Sequence, residues 1–196
     1  MAVPSGADAR YRAAMAVLVD PAVWEWRGAS WAHLVSDESF DELHEFARRL
    51  GKRRLAFQGD HYDIDTVDRD RAIALGAEPI DSRELVRRLR AADLRRRDDK
   101  PSWQRLAFAP RGRTLDVAGR LVSFGEPGLA LRSALTMTTA LDQVSQSGLY
   151  VDETHLVALF DWVGPEATVD LPDIDRVWAG EPRSDGERSL ELFVTR

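Results

Sequence analysis

The 196-residue sequence contains no cysteine, so it offers neither a disulfide framework nor a thiolate metal site. Its apolar runs are short, and residues 16–19 and 156–160 fall far below the roughly 20 residues that cross a bilayer. The first residues lack the apolar segment that follows a basic start in a secretory signal. These absences predict a cytoplasmic protein that does not enter a membrane.

Several catalytic motifs are also missing. Gly112, Gly119, Gly125 and Gly128 do not have the spacing of a Walker or dinucleotide-binding loop. Neither the H-E-x-x-H motif of zinc proteases nor a nucleophile elbow occurs. The net charge is −6, and residues 101–196 carry 9 basic against 14 acidic side chains. An acidic chain is a poor general binder of nucleic acid.

Strands and helices are predicted to alternate between residues 16 and 92, which is typical of an α/β sheet with parallel pairing. The expected strands are 16–19, 31–35, 54–58 and 77–80, with a Trp-rich loop between the first two. Helices are expected over about 40–50, 67–75 and 82–92. The fold class is therefore α/β, with a small mixed or parallel sheet.

Cap signals place the ends of the first helix. Ser36 and Asp37 are candidate N-cap residues, Ser39 and Glu42 have the spacing of a capping box, and Gly51 suits the C-terminal end. These signals predict that the first helix follows the 31–35 strand at once.

The second half of the sequence has a different pattern of predicted elements from the first. A charged stretch that ends at Pro101 indicates a boundary between an α/β domain over 15–97 and a strand-rich α+β region over 103–196. Residues 1–14 are an irregular N-terminal extension, and Met15 as well as Met1 is a candidate start. In the second half, strands are expected at 121–124, 149–152, 155–160, 176–179 and 190–194, and a helix over about 129–144.

Three of the four histidines fall in the N-terminal α/β domain. They accompany aspartates in a cluster of Asp20, His33, Asp37, His44, Asp60, His61 and Asp63. Ligands of open α/β sheets collect at the carboxyl ends of strands, where Asp20 and the predicted 59–63 loop would lie. Imidazole and carboxylate together suit a divalent metal ion of the zinc, manganese or iron type, or an acid/base pair near neutral pH. His33, His61 and Asp63 are the candidate catalytic groups and, with Asp20, the candidate metal ligands.

Each of these residues also has a structural interpretation. His33 could be a core histidine, His44 could flank the apolar stripe of its helix, and Asp37 could serve only as a cap. His61-Tyr62-Asp63 is hardest to assign to packing, because three polar groups follow one another in a predicted loop. His155 stands apart from the others and is expected to decorate a strand.

Two surface features allow other functions. Trp24, Trp26 and Trp31 could form a stacking platform for a base or sugar, although aromatic side chains beside a strand more often pack in a core or rim. The third helix and its tail carry arginines that fit phosphate contacts or simply a solvated helix face. These arginines are Arg83, Arg87, Arg88, Arg90, Arg95, Arg96 and Arg97.

A set of ordered motifs covers about residues 15–92: Val19-Asp20, Trp31-Ala32-His33-Leu34-Val35-Ser36-Asp37, Asp41-Glu42-Leu43-His44, Phe57-Gln58, Asp60-His61-Tyr62-Asp63, Arg71-Ala72, Leu75-Gly76-Ala77 and Ser82-Arg83-Glu84-Leu85. In these motifs the sequence resembles the bacterial and phage family called domain of unknown function 4031. The resemblance implies a small α/β fold with a recurrent polar signature at His33, Asp37, His44, His61, Tyr62 and Asp63. It implies no reaction, because the family has no established activity.

We therefore expect a small metal- or acid/base-dependent hydrolase that acts on a small molecule, with a phosphorylated or nucleotide-like compound favoured. The candidate binding residues are Asp37, His44, Tyr62, Trp31 and Arg83. The alternative is a noncatalytic module that recognises a protein or a nucleic acid through the third helix and the Trp-rich loop. The metal hypothesis requires the His33 and His61 side chains to lie within about 8 Å, since metal–nitrogen bonds are near 2 Å.

Overall fold

A computed structural model describes residues 17–96, 99–110, 113, 117–137, 144–166 and 173–196. The predicted extension 1–14, Met15 and Arg97 lie outside the described residues. The chain divides into two compact units, the first formed by residues up to Phe46 with Ala56–Lys100 and the second by Ala47–Leu55 with Pro101–Arg196. None of the helices in the described ranges is long and apolar enough to cross a membrane.

The first unit contains a mixed five-stranded sheet with helices, which confirms the α/β class. Its strands are β1 (Val17–Val19), β2 (Trp24–Trp26), β3 (Ala29–Ser36), β4 (Tyr62–Asp65) and β5 (Glu78–Pro79). Only β1 and β5 pair in parallel among the described strands, whereas β3 pairs antiparallel with β1, β2 and β4. The expectation of parallel pairing is wrong for β3. Its connections to β1 and β2 are too short for a crossover, whereas the connection to β4, over residues 37–61, is long enough for one and the pair is nevertheless antiparallel.

Two parts of this sheet differ from the sequence prediction. The expected Trp-rich loop contains β2, which turns into β3 through Arg27 and Gly28, both at positive φ as a type I′ hairpin requires. The expected strand at 54–58 is instead a 3₁₀ helix over Arg54–Ala56 followed by a single bridge from Phe57 to Tyr62. The strand forms at β4, within the predicted loop, where Tyr62 and Ile64 are buried and alternate with more exposed aspartates.

The helices of the first half are α1 (Phe40–Arg49), α2 (Thr66–Ala74) and α3 (Ser82–Ala91), and all three were expected. Ser39 caps α1 by accepting from the Glu42 N–H at 3.1 Å, and Gly51 ends that helix at a φ of +78°. Asp37 is not its cap, since Ser36 accepts the neighbouring N–H groups instead. Leu85 and Leu89 of α3 pack with Leu18 and Val35, so α3 covers one face of β1 and β3.

The second unit contains a five-stranded antiparallel sheet in the order β6-β7-β8-β10-β9. Its strands are β6 (Gln104–Ala109), β7 (Val144–Val151), β8 (His155–Val163), β9 (Arg176–Ala179) and β10 (Glu187–Thr195). The expected strands from residue 149 onward are therefore confirmed, most of them longer than predicted, and β6 was missed. His155 begins β8, as the decorated-strand interpretation expected.

The helical part of the second unit corrects two expectations. Residues 121–124 are not a strand: α4 (Val117–Leu121) leads into a 3₁₀ turn over Val122–Phe124. A short apolar run fits a strand and a helix equally, and here Leu121 is buried in the core that lies against the sheet. The helix expected over 129–144 is α5 (Gly125–Met137), and Val144 already belongs to β7.

The second unit also buries carboxylates. Asp161 of β8 accepts hydrogen bonds from Arg53, Gln146 and Ser189. Glu191 of β10 accepts from two backbone N–H groups at the start of the 3₁₀ helix, those of Arg54 and Leu55. These bonds attach the Ala47–Leu55 segment to the antiparallel sheet.

Candidate functional site

His33 is held at a break in the strand pairing along β3. Strand β1 pairs with residues 34–36 of β3 and β2 pairs with residues 29–31, so the short 20–23 connection lies opposite His33. Asp20 completes the pairing there: its N–H donates to the His33 carbonyl at 3.2 Å, and its Oδ1 accepts the His33 N–H at 2.7 Å. The main chain of His33 is therefore fixed by one aspartate.

The same aspartate orients the His33 ring. Its Oδ2 lies 2.9 Å from His33 Nδ1 and also accepts from the Ser82 hydroxyl at 2.8 Å. Burial raises the pKa of Asp20, but the hydrogen bonds from His33 and Ser82 outweigh burial and lower that pKa. An ionised carboxylate only accepts, so His33 Nδ1 carries the proton and the lone pair of the neutral ring is on Nε2.

His61 is held in the same way by Asp60, in a tight turn between Phe57 and Tyr62. The Gln58 N–H donates to the His61 carbonyl at 2.9 Å, and Gly59 turns the chain at a φ of +97°. Asp60 Oδ1 lies 2.6 Å from His61 Nδ1, while Oδ2 accepts from Arg95 Nη1 and the Arg96 N–H, both at 2.9 Å. Asp60 is only 1% exposed, so this turn is fixed by a buried carboxylate.

Asp63 joins the two histidines through strand register. It lies directly opposite His33 in the pairing of β3 with β4, which puts both side chains on one face of the sheet. Its Oδ1 is 3.3 Å from His61 Nε2. The ring centroids of His33 and His61 are 5.1 Å apart, which meets the distance that the metal hypothesis required.

His33, His61 and Asp63 each offer one ligand atom, and these three atoms lie within 4.8 Å of one another. The group could therefore hold a metal ion. Asp20 lies behind His33, with both of its oxygens engaged by His33 and Ser82.

The charge state of His61 reflects the two carboxylates beside it. Burial disfavours the imidazolium, but the hydrogen bonds and negative charges of Asp63 and Asp60 outweigh burial and raise the pKa of His61. A proton on each ring nitrogen satisfies both carboxylates at once. A metal ion bound to Nε2 would take the place of one of these protons.

The group opens into a cleft of about 380 Å³. The cleft is lined by Trp24, His33, Gln58, Asp60, His61, Asp63, Arg95, Arg96 and Lys100. Its cationic residues come from the tail that follows α3, whose arginines fit either phosphate contacts or a solvated helix face in the sequence analysis. The sequence signal for them is the change from helical periodicity to a basic segment after Leu94.

None of the five candidate binding residues lines this cleft. Asp37 pairs with Arg88 at 2.6 Å, and Arg83 is an exposed residue of α3. Tyr62 is fully buried, and its hydroxyl lies 3.0 Å from His44 Nδ1 among the rings of Phe40 and Phe57. Trp31, the fifth, stacks on Trp24 with ring centroids 5.9 Å apart.

Residues 17–92 thus fold as a small mixed α/β domain that brings two histidines and an aspartate together at one face of its sheet. The family model described as "Protein of unknown function (DUF4031)" matches residues 17–92, which confirms the resemblance over that part of the chain. No curated protein and no solved structure matched the chain.

Proposed function

We propose that the first unit is a metal-dependent hydrolase whose ion is held by His33 Nε2, His61 Nε2 and an oxygen of Asp63. The observation that carries this proposal is the repeated carboxylate–histidine pair: Asp20 holds His33 and Asp60 holds His61, each through Nδ1. Histidine ligands of metals almost always donate their second ring N–H to such a partner.

The exposure of these groups supports the same assignment. Asp20 and Asp60 are each 2% exposed as side chains, whereas His33 is 38% and His61 21% exposed. The orienting carboxylates are thus shielded from water, and the ligands face a cleft that a substrate can enter. Two imidazoles and one carboxylate suit zinc, manganese or iron(II), and three protein ligands leave coordination positions open.

An ion in this position supplies two effects that hydrolysis needs. Held by His33, His61 and Asp63, it would lower the pKa of a coordinated water toward neutrality and polarise the bond that the water attacks. Water then adds to the electrophilic centre, the bond to the leaving group breaks, and the leaving group takes up a proton. Acid/base chemistry without a metal would use the same Asp20–His33 and Asp60–His61 pairs, but it would not require Asp63 as a third metal ligand.

Metal content tests the proposal directly. The protein purified without chelator, and reloaded separately with zinc, manganese or iron(II), is analysed for bound metal. We expect about one equivalent in the wild type and its loss in His33→Asn and in His61→Asn. Circular dichroism shows whether each variant is folded.

His44→Asn is the matched control, because His44 also lies in this domain but binds Tyr62 rather than the cleft. It should retain the metal. Failure of the folded wild type to take up any of the three ions would overturn the metal proposal and leave acid/base chemistry as the alternative to assay.

A further inference from the structure

The walls of the cleft differ in chemistry, and this difference points to a substrate class. One wall is aromatic and the other is cationic. We propose that the cleft binds a nucleoside phosphate, with the base on the aromatic wall and the phosphate between the cationic wall and the metal. This inference rests on the proposed function for the role of the metal.

The aromatic wall is Trp24, the one tryptophan among the described residues that lines the cleft, and Trp31 and Trp26 extend it into a tryptophan strip outside the lining. Trp24 stacks on Trp31 with ring centroids 5.9 Å apart, and Trp26 meets the edge of Trp31 at the same distance. Trp24 also stacks against His33 at 6.1 Å, so the strip runs into the candidate metal group. Base–aromatic stacking tolerates any base, since every base has a π-face.

The exposure of the strip sets it apart from ordinary packing. Trp26 is 51% exposed and neither Trp24 nor Trp31 belongs to the buried core, whereas Trp162 and Trp178 of the second unit are buried. Tryptophan contributes most to stability when its large surface is buried. Three neighbouring rings left partly in solvent form the kind of apolar patch that marks a binding surface.

The cationic wall consists of Arg95, Arg96 and Lys100. Arg95 is engaged by Asp60, and the ion pairs of Arg96 with exposed Asp93 and Asp99 are long, at 3.6 and 3.8 Å. Once a divalent ion and Arg95 offset the carboxylates of Asp20, Asp60 and Asp63, Arg96 and Lys100 remain to attract an anion. A phosphate group matches this charge and also contacts metals readily.

Two buried donors add to the case. Trp24 Nε1 and Arg95 Nε are buried and have no hydrogen-bond partner among the described residues. Both residues line the cleft. Buried N–H groups without acceptors are costly, so a ligand whose entry shifts these side chains would gain stability if its oxygens accept from them.

Binding is measured by tryptophan fluorescence and calorimetry, on protein whose metal content is determined in the same sample. The probes are adenosine 5′-monophosphate, ribose 5-phosphate, adenosine and a short single-stranded oligodeoxyadenylate. We expect the nucleotide to bind at least about tenfold more tightly than either fragment, with quenching of tryptophan emission. Tighter binding of the oligonucleotide would identify a nucleic-acid strand as the source of the nucleoside phosphate, and equal or weaker binding would identify the free nucleotide.

Variants test each wall separately. Trp24→Leu should weaken nucleotide binding about 5- to 100-fold without changing that of ribose 5-phosphate. Lys100→Gln should weaken both phosphates about 3- to 10-fold, whereas Arg90→Gln, which removes an exposed charge of α3 outside the cleft, should change neither.

The results separate this inference from the proposed function. Protein that holds its metal but binds the nucleotide no better than ribose 5-phosphate would overturn the nucleoside assignment and leave the metal site standing. Protein that lacks metal yet binds the nucleotide through the two walls would support the substrate class and overturn the hydrolase. Protein that binds neither would overturn both.

Discussion

Asp20 and Asp60 of the first unit are as deeply buried as Asp161 and Glu191 of the second, with exposures of 2%, 1%, 0% and 0%. Their partners differ. Asp20 and Asp60 each bind a histidine that keeps a second ring nitrogen toward a cleft. The second pair binds an arginine, an amide, a hydroxyl and backbone N–H groups, all of which act only as donors in these contacts.

The difference shows that burial of a charge does not by itself mark a functional site. A guanidinium is a donor only and has no lone pair that could bind a metal ion. A neutral imidazole that donates through Nδ1 still carries a lone pair on Nε2. The buried acids of the second unit therefore stabilise the attachment of the Ala47–Leu55 segment to its sheet. Those of the first unit orient histidines that keep a second ring nitrogen toward the cleft. Three predictions test this contrast.

The largest effect is expected from Asp161→Asn. The substitution removes the charge that Arg53 and Arg183 face, at a residue whose side chain has no exposed surface. Loss of one partner from a buried ion pair costs about 3–5 kcal/mol. Urea unfolding followed by tryptophan emission measures the loss of stability.

Asp185→Asn is the control for that measurement, because Asp185 is 65% exposed and lies 3.9 Å from the same Arg183. Its cost should stay below about 1 kcal/mol. Equal effects of the two substitutions would show that the buried network has no special role in stability.

The next effect concerns pH. Burial raises the pKa of Glu191 from 4.5 to about 7, against the opposing hydrogen bonds from the Leu55 and Arg54 N–H groups. A carboxyl whose pKa is higher in the folded state contributes stability below its unfolded pKa and loses it as pH rises through about 7. The second unit should therefore be more stable at pH 5.5 than at pH 8, by about 2 kcal/mol.

Glu191→Gln removes this titration and should flatten the dependence of the free energy of unfolding on pH between these two values. Denaturant unfolding at a series of pH values makes the comparison. A wild type whose stability rises from pH 5.5 to 8, with the variant parallel to it, would contradict the assignment to Glu191.

The sequence was most informative where a local signal had one meaning. The helical stripes with their caps located α1, α2 and α3, because cap chemistry and 3.6-residue periodicity agree at each of them. The motif around His61 and Asp63 indicated a polar cluster, and the structure brings these two side chains together with His33. The predicted strand was misplaced, since the short apolar run of residues 55–57 fits a strand and a helix equally, while the alternation of Tyr62 and Ile64 covers only four residues.

Other features of the site depend on tertiary contacts that no local pattern carries. The register that sets His33 opposite Asp63 follows from the pairing of strands nearly thirty residues apart in sequence. Arg95 reaches Asp60 from beyond α3. That Asp20 orients His33, rather than joining the three ligand atoms, follows from a break in strand pairing that the sequence does not reveal.

The smallest effect, and the one most specific to the contrast, is expected from Asp60→Asn. The asparagine oxygen can still accept from Arg95 and Arg96, but its amide then faces His61 Nδ1 and favours the ring tautomer with hydrogen on Nε2, which cannot bind a metal. Loss of such an orienting partner weakens metal binding about 10- to 100-fold, measurable by competition with a chromophoric chelator. Asp68→Asn is the matched control, since Asp68 is also buried in the first unit but binds Arg71 at 2.9 Å. If both substitutions weakened metal binding equally, the carboxylates would act through the fold rather than through the histidines, and the distinction between the two kinds of buried acid would fail.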